Sequence, residues 1–287
     1  MSRIEQALEK AARQRESNPE EVLPALLAEM GGAPLPDMGS APSAEERNGH
    51  RERDAALLLA NPLPVSNPFL VAPGSKNNPA AAEEYRKLKS LVLRLTKREK
   101  FLNTLLITSA GSNEGKTLTA LNLAIVLAQE YDHSVLLVDA DLRRPSVHRY
   151  LGIHPEAGLA QCLQDKLPVS RVLVKTGLGR LVVLPAGNAV ADPVELLSSS
   201  RMKDIIRELK HRYPDRYVII DTPPAAPFAD AQVLGQVVDG VFFVVREGVA
   251  RTNDIREGLS TLKDANLLGV VFNDASFSPG SGRYYYY

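Results

Sequence analysis

The amino-acid sequence predicts an α/β fold: a doubly wound, mostly parallel sheet with helices on both faces, preceded by a partly disordered N-terminal arm. Three observations predict it. From Asn103 onward, near-continuous Val, Ile and Leu runs alternate with stretches of helical period, as in parallel strands covered on both faces. A glycine-bearing turn lies between the first such run and its helix, at the edge where α/β sheets bind ligands. The first 78 residues differ, holding nine of the twenty prolines, 8 basic against 11 acidic residues and no strand-like run.

Length and composition limit the classes. The 287 residues, 44% of them hydrophobic, suffice for one large α/β domain plus a poorly packed segment. Lys plus Arg equals Asp plus Glu at 34 each, so total charge points to neither a nucleic-acid nor a membrane-surface binder. The one cysteine, Cys162, cannot form an internal disulfide or a thiolate metal cluster; it fits a reducing cytosol and reads as a small core residue. No apolar run has the form of a secretory signal or reaches the ~18 residues of a transmembrane helix. The expected location is cytoplasmic, with any membrane attachment supplied by a partner.

Within the arm, residues 1–78, Ser2 to Glu16 is the most helical stretch, with Ile4, Ala7, Leu8 and Ala11 on one face and a Ser2/Glu5 capping box. Such a helix either docks a partner or lies on its own domain. Asn18 to Met30 is weakly helical and interrupted at Pro24, Gly31 to Ser43 reads as linker, and low order is expected through Lys76. The domain proper, 79–277, opens with a helix from Pro79 to Lys97, proline standing at its permitted end and Tyr85, Leu88, Val92 and Leu95 facing a core. Strands are then expected at Thr104–Thr108, Val135–Val138, Leu181–Leu184, Tyr217–Ile220, Val241–Val245 and Leu268–Phe272. Helices are expected at Lys116–Glu130, Pro193–His211, Ala229–Val238 and Asn253–Asp264. Residues 278–287 read as a flexible tail ending in four tyrosines.

Between the first strand and its helix lies Ala110-Gly111-Ser112-Asn113-Glu114-Gly115-Lys116-Thr117, a phosphate-loop pattern with alanine in place of the first glycine. Backbone N–H groups of Gly111, Ser112, Asn113, Glu114, Gly115 and the helix start at Lys116, Thr117 and Leu118 would cradle phosphate oxygens. Lys116 would neutralise the outer phosphates and the Thr117 hydroxyl would ligate Mg²⁺. The second strand runs out in Asp139-Ala140-Asp141-Leu142-Arg143-Arg144-Pro145, and a later one in Asp221-Thr222-Pro223-Pro224. Carboxyl ends of parallel strands open on one edge, so Asp139, Asp141 and Asp221 should emerge beside the phosphates, where one could hold a metal-bound water and another accept a proton. The fold class is thus a P-loop NTPase, with ATP and Mg²⁺ as the expected cofactors.

These motifs, together with the terminal tyrosines, resemble the bacterial tyrosine kinases of exopolysaccharide gene clusters in their soluble form. The resemblance covers about Pro79 to Tyr287, and the opening Ser2 to Lys10 is similar to the start of autokinases linked to exosortase systems. It implies that Lys116 and Thr117 bind the phosphates and Mg²⁺, that Asp139 is the base toward a tyrosine hydroxyl, and that Asp141 and Asp221 help place the metal. A phenol of pKa ≈ 10 is protonated at neutral pH, so a carboxylate must take its proton as the phosphoryl group moves. The family's Glu-x-x-Arg-x-x-Arg helix packs subunits into rings. Glu83, Arg86 and Lys89 fall at those places, lysine replacing the last arginine and losing its forked geometry. The plainer reading is an ion pair within the helix.

If the last strand runs parallel to the first, the chain leaves it near Asn273 on the nucleotide edge. Its last fourteen residues could span at most about 46 Å, so Tyr284, Tyr285, Tyr286 and Tyr287 could reach this site or a neighbour's. They are the expected phosphoacceptors; Asn273 is expected near the adenine. The alternative is a positioning ATPase that partitions plasmids or places division proteins, but those carry an extra lysine where this chain has Gly111. The resemblance further implies a membrane-embedded polysaccharide chain-length regulator or co-polymerase as partner, a cognate tyrosine phosphatase, a homo-oligomeric ring and no nucleic acid.

Overall fold

The computed structural model describes Leu63 and residues 67–71, 79–97, 101–130, 132–213 and 215–275. The expected arm helices, the 31–43 linker and Tyr284–Tyr287 lie outside the described residues. Seven strands form one sheet: β1 (Thr104–Ser109), β2 (Ser134–Asp139), β3 (Val174–Lys175), β4 (Leu181–Leu184), β5 (Arg216–Asp221), β6 (Gly240–Arg246) and β7 (Leu267–Asn273). Their order is β3-β4-β2-β5-β1-β6-β7, all parallel except the short β3 against β4.

Strands β1, β2 and β5 are buried along their whole length, so both faces of each must be apolar and no polar alternation survives in their sequence. One face packs against α1 (Pro79–Thr96), α2 (Lys116–Leu127) and α3 (Val147–Leu151). The other packs against α4 (Leu159–Gln164), α5 (Val194–Ser198), α6 (Ser200–His211), α7 (Asp230–Gly235) and α8 (Thr252–Thr261). Helix α2 is wedged between the sheet and α1, and ten of its twelve residues are buried. Its near-uniform apolarity follows from that position.

The expected helix from Pro193 to His211 is two helices. Ser199 turns extended (φ −62°, ψ 156°) and its hydroxyl accepts from the Met202 N–H at 3.2 Å, capping α6. In the run Ser198-Ser199-Ser200, side-chain oxygens compete for backbone donors and make a break inexpensive. Helices α3 and α4 and strand β3, between β2 and β4, are additions to the elements expected.

The expectation of low order through Lys76 does not hold for Asn67–Val71. Leu70 is 1% exposed and packs on the α1/α2 side of the core. Asn122 of α2 clamps the segment, its Oδ1 accepting from Val71 N and its Nδ2 donating to Phe69 O, each at 3.0 Å. Leu63 N donates to Thr176 O at 2.8 Å.

Candidate active site

The turn after β1 places its residues by backbone conformation. Asn113 (φ 64°) and Gly115 (φ 87°) both adopt the left-handed region, and Gly115 caps α2 without any side-chain bond to the helix. The first N–H groups of α2 are therefore offered to an anion. A Cβ on Gly115 would lie 2.2 Å from Asn273 Nδ2, which donates to Glu114 O at 2.9 Å. Glycine is required there by φ, and a Cβ would also displace the Asn273 amide from Glu114 O. Asn273 thus braces the loop from the end of β7.

Glu114 is not among the residues that line the cavity. It is 1% exposed, folded back so that Oε1 accepts from Gly111 N and Oε2 accepts from Arg246 N at 3.4 Å. Burial pushes its pKa up. Ser112, Asn113, Gly115, Lys116, Thr117 and Leu118 line a cavity of about 590 Å³.

Register brings the acids together. In the pairing of β2 with β5, Asp139 stands directly opposite Asp221, both at the carboxyl ends of their strands. Both are fully buried behind the cavity wall, whereas Asp141 is 4% exposed and lines the cavity. Asp139 accepts from the backbone N–H groups of Asp141 (3.3 Å), Ser146 (3.2 Å) and Val147 (3.1 Å), shaping the loop that follows β2. The oxygens of Asp221 make no hydrogen bond of ordinary geometry, although the Thr117 hydroxyl lies near enough to favour its ionised form. Lys116 Nζ donates to Asp141 Oδ2 at 3.0 Å and to Thr117 Oγ1 at 3.3 Å.

Burial pushes the Asp139 pKa up to about 8, with Asp221 adding to the rise. Burial likewise pushes Asp221 up to about 6, opposed by the Lys116 charge. Burial alone would lower Lys116, but Asp221, Asp141 and Asp139 together outweigh it and hold the ammonium above its ordinary range. One cation faces three carboxyls, an arrangement that gains from an added divalent cation.

Three groups of wall residues were not anticipated. Asn67 reaches the cavity from the clamped segment, Arg149 and Tyr150 from α3, and Pro227 and Phe228 from the loop after β5. Ser146 and Gly152 bracket α3 as start and stop residues, a signal the sequence did carry. Nothing in the sequence ties Asn67 to residues so far along the chain. The ring-helix residues lie on α1, where Arg86 pairs with Glu83 at 2.7 Å and Lys89 with Glu130.

A parallel sheet whose first strand feeds a phosphate loop, with acids from two further strand ends beside its lysine, defines a nucleotide-binding P-loop protein. Residues 105–283 match the CobQ/CobB/MinD/ParA nucleotide binding domain. The chain is 36% identical over 208 residues to tyrosine-protein kinase YwqD of Bacillus subtilis (strain 168), covering 71% of this chain and 86% of that protein. The kinase domain of Escherichia coli tyrosine kinase ETK superposes with a TM-score of 0.65 at 31% identity, over 79% of this chain and 85% of that one. The chimerical protein CapA2B2 gives a TM-score of 0.64 at 27% identity, over 77% and 97%. The chain belongs to the bacterial tyrosine-protein kinases, a branch of that nucleotide-binding family.

Proposed function

We propose that this chain is an ATP-dependent protein-tyrosine autokinase that phosphorylates its own terminal run, Tyr284–Tyr287, within an exopolysaccharide synthesis or export system. The observation that carries this reading is the meeting of the uncapped α2 start, Lys116 and three carboxyls at one sheet edge, where β7 also ends. The supposed partners are a membrane-embedded chain-length regulator, through which the chain sits peripherally at the inner membrane, a cognate phosphatase, and further copies of itself in a ring.

The donor set fits Mg²⁺. Asp221 offers two buried oxygens without hydrogen bonds, and the Thr117 hydroxyl adds a hard oxygen near it. When bound, Mg²⁺ would neutralise charge on the transferring phosphoryl group. Lys116 would leave Asp141 for the outer phosphates, while the loop N–H groups hold the inner ones. We assign the place beside the adenine to Asn273, its Nδ2 already engaged by Glu114 O. Of the three acids only Asp141 lines the cavity, so we assign proton acceptance from the phenol to it rather than to Asp139. Asp139 shapes the loop that presents Asp141.

The test is purified protein with Mg-ATP, followed by mass spectrometry of the C-terminal peptide. Phosphotyrosine is expected in wild type and absent in Lys116→Met and after chelation with EDTA. Phosphate released to water over an unmodified tail would instead favour a positioning ATPase.

A further inference from the structure

Four cationic side chains line the cavity, and two of them have counter-ions that tie them to the fold. Lys116 is held by Asp141. Arg143 is committed to Asp230 at 3.2 Å, to Ala191 O at 3.1 Å and to Asp192 at 3.5 Å, with its guanidinium 4.6 Å from the centre of the Phe228 ring. The other two, Arg144 and Arg149, are exposed on the wall and make no ion pair among the described residues. Arg144 follows Asp141 by three residues, and its backbone N–H donates to Asp141 Oδ1 at 2.9 Å. Arg149 lies beside Tyr150, which lines the same cavity.

Two guanidiniums on one cavity wall without a counter-ion each offer a fork to an incoming anion. The nucleotide's charge has its own partners in Lys116, the α2 N–H groups and the metal. That leaves the two arginines available for a second anion in the same cavity. We infer that Arg144 and Arg149 form a subsite for the phosphomonoester of a phosphotyrosine already made on the acceptor strand, next to the tyrosine in transfer. Arginine forks match phosphate oxygens in pairs, and each phosphate brings about 1.5 to 2 negative charges. This rests on the tail being the acceptor. Because Tyr284–Tyr287 are consecutive, one transfer at any of them leaves an unmodified tyrosine directly beside the phosphate. The consequence is a primed sequence: the first phosphate is slow to go on, and later ones follow faster.

The experiment is an intact-mass time course of the dephosphorylated full chain with Mg-ATP, for wild type and for the double variant Arg144→Gln/Arg149→Gln. In wild type the second transfer is expected to outrun the first by about tenfold or more, roughly the factor one charge-assisted hydrogen bond supplies, so singly phosphorylated chain stays scarce. In the double variant singly phosphorylated chain should accumulate. Its affinity for a fluorescent ADP should match wild type, which also reports a folded site. Identical mass distributions in the two proteins would overturn the subsite. A loss of ADP affinity in the variant would overturn it too, returning the arginines to the nucleotide. A wild-type tail that takes no phosphate at all would instead sink the autokinase reading beneath it.

Discussion

Asn122 is a polar residue in a helix whose neighbours are apolar, and it is 1% exposed. Its amide is satisfied only because Asn67–Val71 returns to meet it with one N–H and one C=O. Replacing it by alanine leaves both backbone groups without their partner, at a cost of about 1 to 3 kcal/mol, read as a lower urea midpoint for Asn122→Ala. The same change should weaken nucleotide affinity, since Asn67 lines the cavity. Gly115 has a different vulnerability. A methyl there meets Asn273 at 2.2 Å on a backbone of positive φ, so calorimetry on Gly115→Ala is expected to show little or no ATP uptake while the fold persists. Wild-type affinity in that variant would count against the loop as the phosphate cradle. The loop was legible in the sequence because its chemistry depends on local spacing. Asn67 was not, because a wall built from a distant segment leaves no local pattern, and an asparagine in a buried helix does not say which backbone it will clamp.

Among the elements, β1, β5 and β6 could be read to within about two residues because burial on both faces forces unbroken apolar runs. Helix α4 and strand β3 are too short to show a period, and they take their form from contacts with β4 and its following loop. The joint between elements at Asp239 is also tertiary. This carboxylate precedes β6, accepts from Asn103 N, Thr104 N and the Thr104 hydroxyl at the start of β1, and pairs with Lys210 near the end of α6. Burial would raise its pKa, but Lys210 and Thr104 outweigh that and hold it below the ordinary carboxylate value. The folded chain thus favours the ionised form. Its contribution is complete above the unfolded value of about 3.9 and is lost as pH falls through the lower folded one. The melting-temperature gap between wild type and Asp239→Asn should be wide at neutral pH and narrow below about pH 4. A gap unchanged down to acid pH would remove the ion pair from the account.

At the scale of the whole molecule, the parallel run of β6 and β7 carries the chain out beside the phosphate loop, and Arg246 pairs with Asp274 at 2.7 Å where it leaves. A chain with 34 basic and 34 acidic residues has no net charge to spare. On the autokinase reading, four phosphates would take it to about −6 to −8, more than a two-arginine subsite can match, and we propose that the excess loosens the proposed ring. Light scattering is expected to show a smaller assembly after autophosphorylation; equal masses before and after would refute the link. The contact between Lys116 and Asp141 bears on how such a cycle starts. An ammonium already matched to a carboxylate leaves an empty site at ease, with no need to recruit stray anions from the cell. Only a ligand that competes with that carboxylate can take the lysine, and in doing so it frees Asp141, the acid we propose receives the proton. On that proposal, loading and arming are a single event, and no base is free while the cradle is vacant.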